Sequence, residues 1–531
     1  MSAATASWPL RALLAAAALV TPGVALAAEG GGGSYVLTQL MPIIILLGTL
    51  ALIITRLPKV EIQHSADYKL RRALNWLPMG FAYAFLYMGR YNLTVSKNEF
   101  SDIGLMNNAD FGVIFGIGTV VYGVAFVLNG PLTDRFGGKK AMLVGATGAM
   151  VMNALMGAVT YEVLTTGGPG SLTALMNTIA APFFVMFNAI FAFFGQETGD
   201  ADRSILLPAL SLLYAGNMYF QSFGAVAIVK VNAPWFHVRE RGVFGAVFGV
   251  LISLGVFFAY DGGRAIVSRA ETYWVFFTPA ILLGIMAAVC LAFVRDTPGE
   301  AGFGDFDVGD ASSGDDGPPL GVAAVFKKML TNPVILTISA IEFCSGFLRQ
   351  AIMQWYIIFA KQTGIMETFV PSTWGLLLCC AGIMGGAFAG VISDHLFQSR
   401  RGPVAAVLYG GLLGGALVMT QVLDSVALGY LVIFMSLCVI GVHGMLSGTA
   451  SMDFGGRKNT GVAVGIIDGF VYLGTGVMSF LYGARLPNGE AAKDPNNWIE
   501  WPMWMIPIAI IGLLLSLRLW NAKPKGSGGG H

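Results

Sequence analysis

Two arginines lie inside long apolar segments, where a charged side chain is costly and therefore informative. Arg90 lies within FAYAFLYMGRYNLTV, and Arg349 lies within ILTISAIEFCSGFLRQAIMQWYIIFA. A guanidinium at membrane depth costs several kcal/mol, so such an arginine indicates a substrate or ion pathway by default. Its planar fork can bind two oxygens of a phosphate or carboxylate at once. The pair therefore predicts a binding site for a small anion.

The two arginines occupy equivalent positions in a duplicated sequence. Arg90 precedes Gly130 of GPLTDRFGGKK by 40 residues, and Arg349 precedes Gly390 of GVISDHLFQSRRG by 41. Each half also contains two glycines 13 residues apart, Gly242 with Gly255 and Gly461 with Gly474. Repeated halves of this kind are typical of secondary transporters, which bind substrate where the repeats meet. We expect Arg90 and Arg349 to approach each other there.

Two tyrosines precede Arg90 at helical spacing. Tyr83 and Tyr87 lie seven and three residues before it, so all three side chains are predicted to share one helix face. They are candidate substrate-binding residues, although the same spacing also fits aromatic packing.

Two carboxylates lie at membrane depth in the second half. Glu342 lies seven residues before Arg349, and Asp468 lies in an otherwise apolar segment. Either can serve as a proton- or substrate-coupling group, and Glu342 can instead form a structural ion pair with Arg349. His443, at the end of another apolar segment, is interpreted as a packed or interfacial histidine.

Composition defines the class of protein. Hydrophobic residues make up 55% of the chain and charged residues 11%, and mean hydropathy is +0.70. These values exclude an ordinary soluble protein and predict an all-α polytopic membrane protein. The net charge of +1 gives no indication of nucleic-acid binding. The sequence contains no catalytic triad, metal-ligand cluster or phosphate-binding glycine loop, so we expect no enzyme activity, no metal and no cofactor.

The apolar segments divide the chain into a core of twelve spans and several additions. The predicted divisions are a signal peptide (1–27), an extra transmembrane helix (28–60), an N-terminal six-helix bundle (61–294) with an insertion (161–203), a cytoplasmic linker (295–325), a C-terminal six-helix bundle (326–520) and a tail (521–531). The linker is acidic and rich in Gly, Pro and Ser, as expected of a solvated connection.

Basic residues predict the orientation in the membrane. Most loop Lys and Arg residues fall on one side if the first span after the signal peptide runs inwards, which predicts an inner-membrane protein with a cytoplasmic C-terminus. The apolar segment 172–196 is long enough to cross, but one crossing there would reverse every later span. We therefore interpret it as a re-entrant, interfacial or hairpin insertion on the outer side.

The loop GPLTDRFGGKK fits the G-x-x-x-D-R-x-G-x-K/R-K/R pattern, and the protein thereby resembles the major facilitator superfamily. The segments YMGRYN, WFHVRERG, VRDTPGEAGF and SDHLFQSRRG, with Arg349 and Trp355 on the seventh helix, are together similar to the organophosphate:phosphate antiporter family. The resemblance implies a major facilitator fold of two pseudo-symmetric six-helix bundles. It also implies a conformational latch composed of Gly130, Asp134, Arg135, Gly390, Asp394 and Arg241.

The same resemblance implies a function and a site. In that family an arginine on each of the first and seventh helices clamps the phosphoryl group, positions that match Arg90 and Arg349, and Tyr83 and Tyr87 also match. The expected activity is exchange of a phosphorylated metabolite for inorganic phosphate by a monomer in membrane lipid. Tyr91 replaces the family's lysine, and Gln354 replaces its acid. Two alternatives remain open: a proton-coupled organic anion symporter, and a transporter-like sensor of a sugar phosphate.

Overall fold

The computed structural model describes residues 65–195, 203–236, 251, 253–304, 324, 327, 329–391, 397, 401–450 and 460–521. Within these residues the regular structure is helical, with no strand. The helices are α1 (Ala66–Asp102), α2 (Asn108–Phe136), α3 (Gly138–Thr166), α4 (Ser171–Phe193), α5 (Leu207–Asn232), α6 (Gly263–Val267), α7 (Trp274–Phe293), α8 (Pro333–Met353), α9 (Trp355–Gln362), α10 (Phe369–Ser372), α11 (Trp374–Val391), α12 (Arg401–Met419), α13 (Ala427–His443), α14 (Thr460–Arg485) and α15 (Glu500–Arg518). The predicted signal peptide and extra transmembrane helix lie outside the described residues.

Ten described helical segments are long and apolar enough to cross a membrane. Local signals define several of their ends. The Ser65 hydroxyl accepts a hydrogen bond from the Tyr68 N–H at the start of α1, and Asn107 with Asp110 forms a reciprocal capping box at the start of α2. The Asn332 side chain caps α8 in the same way. These caps fix where the chain enters each helix, and therefore the depth of Arg90 and Arg349.

Matching glycines confirm that the two halves pack alike around the arginines. A Cβ at Gly255 would lie 2.8 Å from the carbonyl oxygen of Ala84, and a Cβ at Gly474 would lie 2.0 Å from that of Phe343. Ala84 and Phe343 each lie six residues before the arginine of their half. The helical segment around Gly255 thus contacts α1 at the same relative height at which α14 contacts α8, and only glycine permits so close an approach.

Replacing Gly474 with alanine is expected to destabilise the protein. The new methyl group would overlap the backbone of α8, and overpacking of this kind costs about 1–3 kcal/mol. A thermal unfolding measurement in detergent should show a lower Tm for Gly474→Ala. The matched control is Gly410→Ala on α12, where an added Cβ meets nothing within 4 Å. Equal Tm values for the two variants would show that the close approach of Gly474 to α8 does not contribute to stability.

Three family-like motifs of the first half, GPLTDRFGGKK, WFHVRERG and VRDTPGEAGF, meet at one end of the N-terminal bundle. Asp296 of VRDTPGEAGF accepts a hydrogen bond from the Lys139 N–H at the first turn of α3 (2.8 Å). Gly137, which precedes α3, has φ 85°, a conformation that favours glycine. The Trp235 indole N–H of WFHVRERG donates to the carbonyl of Arg295 at 3.1 Å. The predicted latch loop is therefore bound to the segment that leads into the linker.

The inserted segment forms one helix, α4, rather than a hairpin. Its first turn is bound by Glu162, whose carboxylate accepts hydrogen bonds from the N–H groups of Leu172 (3.0 Å) and Thr173 (2.7 Å). At its other end Phe191 packs on Phe480, with ring centroids 5.8 Å apart. Glu162 and Phe480 lie within two turns of the ends of α3 and α14 at the side where α1 ends and α2 begins.

We call that side the outer end, following the predicted orientation. A helix of 23 residues is about 34 Å long, yet both ends of α4 contact residues near the outer end. Helix α4 therefore lies across the outer half instead of crossing the bundle. This placement agrees with the interfacial interpretation of segment 172–196 and preserves the direction of every later span.

Candidate substrate-binding site

Arg90 is buried in the middle of α1 and is held by three hydrogen bonds. Its Nε donates to Gln221 Oε1 at 3.0 Å, one Nη donates to the Tyr472 hydroxyl at 3.1 Å, and the other donates to the Tyr122 hydroxyl at 2.8 Å. The side chain is only 1% exposed. Because a guanidinium has five N–H groups, two remain beyond these bonds. Arg90 is thus fixed in position and keeps donors for a ligand.

Aromatic rings surround the Arg90 guanidinium. Its Cζ lies 4.6 Å from the ring centroid of Tyr87 and 4.5 Å from that of Tyr122. The Tyr87 ring also contacts the Tyr83 ring edge-on at 5.2 Å. These rings stabilise a desolvated cation but do not neutralise it. Within the described residues no carboxylate pairs with Arg90, so the site keeps a positive charge that an anion can balance.

Arg349 lies at the equivalent position on α8, but it is not hydrogen-bonded to any residue that the structure describes. It is 7% exposed, its Nε is buried without a hydrogen-bond partner, and no described residue accepts a hydrogen bond from it. The phenols of Tyr472, Tyr91 and Tyr87 and the carboxylate of Glu342 lie within electrostatic range of it. A buried guanidinium without acceptors is costly, so a ligand that supplies acceptors would gain that free energy.

Three tyrosines connect the two arginines. Tyr87, Tyr91 and Tyr472 are electrostatic neighbours of both Arg90 and Arg349. Tyr472 belongs to α14, in the C-terminal half, and hydrogen-bonds Arg90 in the N-terminal half. The structure therefore brings the two arginines around one group of phenols at the boundary between the halves.

Two positions that depart from the family pattern, Tyr91 and Gln354, belong to one polar chain across this boundary. The Gln350 amide donates to the Tyr91 hydroxyl at 3.0 Å, and the Gln354 amide donates to Gln350 Oε1 at 3.1 Å. The Thr94 hydroxyl donates to Gln354 Oε1 and closes the chain. Where the resemblance implies a lysine and an acid, this protein has neutral Tyr91 and Gln354. The contact between the halves is thus kept without buried charges.

Cross-half contacts continue to the outer end. The Asn108 amide donates to Gln362 Oε1 at 3.1 Å, and Lys361 pairs with Asp102 at 2.8 Å. The Asp261 carboxylate, in a π-helical turn (Phe258–Gly262), accepts hydrogen bonds from the N–H groups of Gly375 and Leu376, both at 2.9 Å. Asp261 thereby caps α11 of the opposite half. A cavity of about 370 Å³ lined by Asp261 and Lys361 lies beside these contacts. In this conformation the halves are joined at the outer end.

The carboxylate Glu342 pairs with a histidine rather than with Arg349. Glu342 Oε2 lies 3.0 Å from His443 Nδ1, and Glu342 is fully buried. The interpretation of His443 as a packing residue is therefore incomplete, because the end of α13 lies against α8 at this depth. The Ser447 hydroxyl donates to Asp468 at 2.5 Å, and Asp468 lies within electrostatic range of Glu342, His443 and Arg349.

The structure places the predicted latch residues only in part. An added Cβ at Gly130 would meet no atom within 4 Å, and Arg135 is exposed. Gly390 lies within α11. Asp394, Arg241 and the side chain of Asp134 lie outside the described residues. The latch role of this set stays a prediction.

Three binding partners of Arg90 were not anticipated from the sequence. Tyr122, Gln221 and Tyr472 come from α2, α5 and α14, far apart along the chain. A polar side chain within an apolar span is the one signal that could have indicated them. Among the residues described, no group of three or more His, Cys, Asp and Glu side chains is arranged to hold a metal ion.

Fold and site together describe a transporter, and comparison with known families gives the class. The family model described as Major Facilitator Superfamily matches residues 79–479, so the chain belongs to that superfamily. It is 24% identical over 487 residues to the membrane sensor protein UhpC of Salmonella typhimurium, covering 88% of this chain and 96% of that protein. It is 23% identical to a probable hexose phosphate transport protein of Chlamydia muridarum, covering 86% of this chain and 93% of that protein.

A solved structure confirms the fold. A bacterial homologue of the human lysosomal transporter Spinster, inward-facing and unoccupied, matches with a TM-score of 0.61 at 12% identity, covering 86% of this chain and 98% of that one. The relatives confirm the resemblance to the organophosphate:phosphate antiporter family and are not enzymes. The protein is accordingly a multi-pass inner-membrane protein related to sugar-phosphate transporters.

Proposed function

We propose that the protein carries a small phosphorylated metabolite across the inner membrane, with Arg90 and Arg349 binding the phosphoryl group, in exchange for inorganic phosphate. The observation that carries this proposal is the state of Arg349. It is a buried guanidinium with an unsatisfied Nε, at the position equivalent to Arg90. A phosphoryl group has several strong acceptor oxygens and fits the fork of each guanidinium.

The two arginines would have different roles in binding. Arg90 is held by Gln221, Tyr122 and Tyr472, so it offers its remaining donors from a fixed position. Arg349 has no such bonds to the described residues and can move to the ligand. Substrate oxygens that bind both side chains would connect the N-terminal half to the C-terminal half. Binding would therefore favour conformations in which the two halves are close at the site.

Alternating access follows from the contacts at the outer end. Asp102–Lys361, Asn108–Gln362 and the cap from Asp261 to α11 all join the halves there. Exposing the site on that side requires these bonds to break while the arginines keep or release their ligand. The rocking of two repeats about a central site is the usual mode of such transporters.

The positive charges of Arg90 and Arg349 favour exchange of anions over net transport. Without an anion, two guanidiniums that approach at the boundary repel each other in a region of low dielectric. The empty protein would therefore reorient slowly, and a phosphoryl group would restore the transition in either direction. Such a carrier exchanges one anion for another more readily than it performs net transport.

Exchange can be tested with purified protein in lipid vesicles. Uptake of radiolabelled inorganic phosphate should be at least about tenfold faster into vesicles loaded with phosphate than into empty vesicles, since each 1.4 kcal/mol of unrelieved repulsion is a factor of ten. Phosphorylated sugars added outside should compete, whereas the corresponding unphosphorylated sugars should not. Equal uptake into loaded and empty vesicles would contradict exchange, and competition by unphosphorylated sugars would contradict recognition of the phosphoryl group.

A second candidate is a membrane sensor of a sugar phosphate. One relative with nearly full-length similarity is named a membrane sensor protein. The same arginine site would then bind the ligand, and the conformational change would be transmitted to a signalling partner. Saturable binding of a sugar phosphate, with no exchange in vesicles loaded with phosphate, would favour this candidate over transport.

A further inference from the structure

A buried acid–imidazole pair lies on the C-terminal half, outside the arginine clamp. Glu342 is fully buried, its Oε2 is 3.0 Å from His443 Nδ1, and its Oε1 has no hydrogen-bond partner among the described residues. The His443 side chain is 23% exposed, so part of the imidazole is accessible from outside the packed helices. An unsatisfied carboxylate oxygen inside a protein is costly, and protonation is one way to remove that cost.

Further charged groups face this pair from the surrounding helices. Asp468 on α14 and Arg349 on α8 lie within electrostatic range of it. Among the described residues, the other titratable neighbours of the carboxylates are Tyr409 on α12, Cys344 on α8 and Tyr83 on α1. Helix α15, which also packs on α8, has charged residues only at its two ends. Glu342, His443 and Asp468 are the carboxylate and imidazole groups that lie together here, and we call them the acid cluster.

The acid cluster and the arginine clamp together determine the charge of the site. Glu342 and Asp468 lie within electrostatic range of Arg349. A doubly charged phosphoryl group that binds Arg349 therefore brings negative charge close to these two carboxylates, in a region from which water is largely excluded. An uncompensated buried charge costs several kcal/mol. One proton on the acid cluster lowers that local excess of negative charge.

We propose that Glu342, His443 and Asp468 form a proton-binding site that takes up a proton when a phosphoryl anion binds Arg349, so that the proton moves with the anion. This proposal rests on the proposed function, because it takes Arg349 as the anion site. The proton comes from water on the side to which the site is exposed. It converts the neutral imidazole of His443 to an imidazolium paired with Glu342, or one carboxylate to a carboxylic acid. No other bond forms or breaks.

The coupling operates along α8. Glu342 and Arg349 lie seven residues apart on this helix, which is two turns and places them on one face. An anion bound to Arg349 stabilises a proton on the acid cluster through their mutual attraction. By reciprocity, a proton on the cluster raises the affinity of Arg349 for the anion by the same factor. When phosphate leaves in the other direction, it carries the proton back.

The test is the number of protons taken up when inorganic phosphate binds purified protein, measured by calorimetry in buffers of different ionisation enthalpy. The native protein is compared with Glu342→Gln and with Asp468→Asn, so the titration of phosphate itself cancels. The matched control is Glu490→Gln, because Glu490 is 88% exposed and pairs with Lys493 at the surface. Intrinsic fluorescence reports phosphate binding separately.

We expect proton uptake per bound phosphate to fall by at least half in Glu342→Gln or Asp468→Asn and to be unchanged in Glu490→Gln. Both acid-cluster variants should still bind phosphate, since Arg349 is intact. Native proton uptake in both variants would overturn the proposal and leave the arginine site standing. A native protein that does not bind phosphate at all would overturn both the proposed function and this inference. If Glu342→Gln fails to fold, the partly exposed Asp468 still provides the decisive comparison.

Discussion

Exchange of phosphate should fall by about 100-fold or more when Arg349 is replaced with lysine, and the protein should remain folded. A lysine keeps the charge but loses the planar fork, and losing bonds between buried charged groups costs about 2–5 kcal/mol. Arg349 makes no hydrogen bond to a described residue, so its replacement removes no bond within this part of the chain. Exchange in vesicles and Tm in detergent, measured on the same preparation, separate these two effects.

Arg90→Lys provides the contrast. That substitution removes the bonds to Gln221, Tyr122 and Tyr472, so Tm should fall together with transport. The conservative control is Arg269→Lys, where the arginine is exposed and donates to the carbonyl of Ala265. It should leave both exchange and Tm at native values. Near-native exchange by Arg349→Lys would show that a point charge suffices and that the fork does not bind the substrate.

Replacing Asp261 with alanine should shift the protein towards a conformation that is open at the outer end. The carboxylate accepts two N–H groups of α11 from the opposite half, both at 2.9 Å, and alanine would leave them unsatisfied. Unsatisfied buried donors cost about 1–3 kcal/mol, which corresponds to a shift of about 5- to 150-fold between the two conformations. The variant should therefore expose residues of the outer cavity more often than the native protein does.

A cysteine at the cavity wall measures that shift. Ile357 lines the outer cavity and is 4% exposed, and all five native cysteines are buried. In an Ile357→Cys background, a membrane-impermeant maleimide should react at least about fivefold faster after Asp261→Ala. Glu490→Gln is the matched control, because Glu490 is 88% exposed and pairs with Lys493 of the same half. Unchanged labelling after Asp261→Ala would mean that the cap does not hold the outer end closed.

The fold was predictable from the sequence because its signals are local and repeated. Apolar spans, caps such as Ser65 and Asn332, and the duplicated glycine spacing each depend on short stretches of chain. The packing of Gly255 and Gly474 beside Ala84 and Phe343 is the three-dimensional form of that duplication. The placement of segment 172–196 does not follow from hydropathy, since its length and hydropathy also fit a crossing helix. Its placement was decided by contacts with Glu162 and Phe480, which hydropathy does not report.

The site was only half predictable. Tyr87 and Arg90 share one helix, so their contact follows from spacing alone. Tyr122 and Tyr472 reach Arg90 from other helices, and helical periodicity gives the face of a residue but not the helix that covers it. For Glu342 the sequence suggested an ion pair with Arg349 on the same helix, whereas the structure pairs Glu342 with His443 of α13. A contact between side chains of two different helices is not encoded in a local pattern.

Helix α4 makes the protein unequal in the two leaflets of the membrane. It is about 34 Å long and about 10 Å wide, so it occupies roughly 340 Å² of one leaflet. Its outward side chains, including Val185, Met186 and Phe193, are apolar and exposed, as expected of a helix surface that faces lipid. The C-terminal half has no equivalent insertion, because Asp394 to Gly461 spans 67 residues whereas Asp134 to Gly242 spans 108. Arg90 and Arg349 occupy equivalent positions in the two halves, whereas only the N-terminal half presents an extra helix to the membrane. Lateral pressure in that single leaflet should therefore bias how readily the outer end opens.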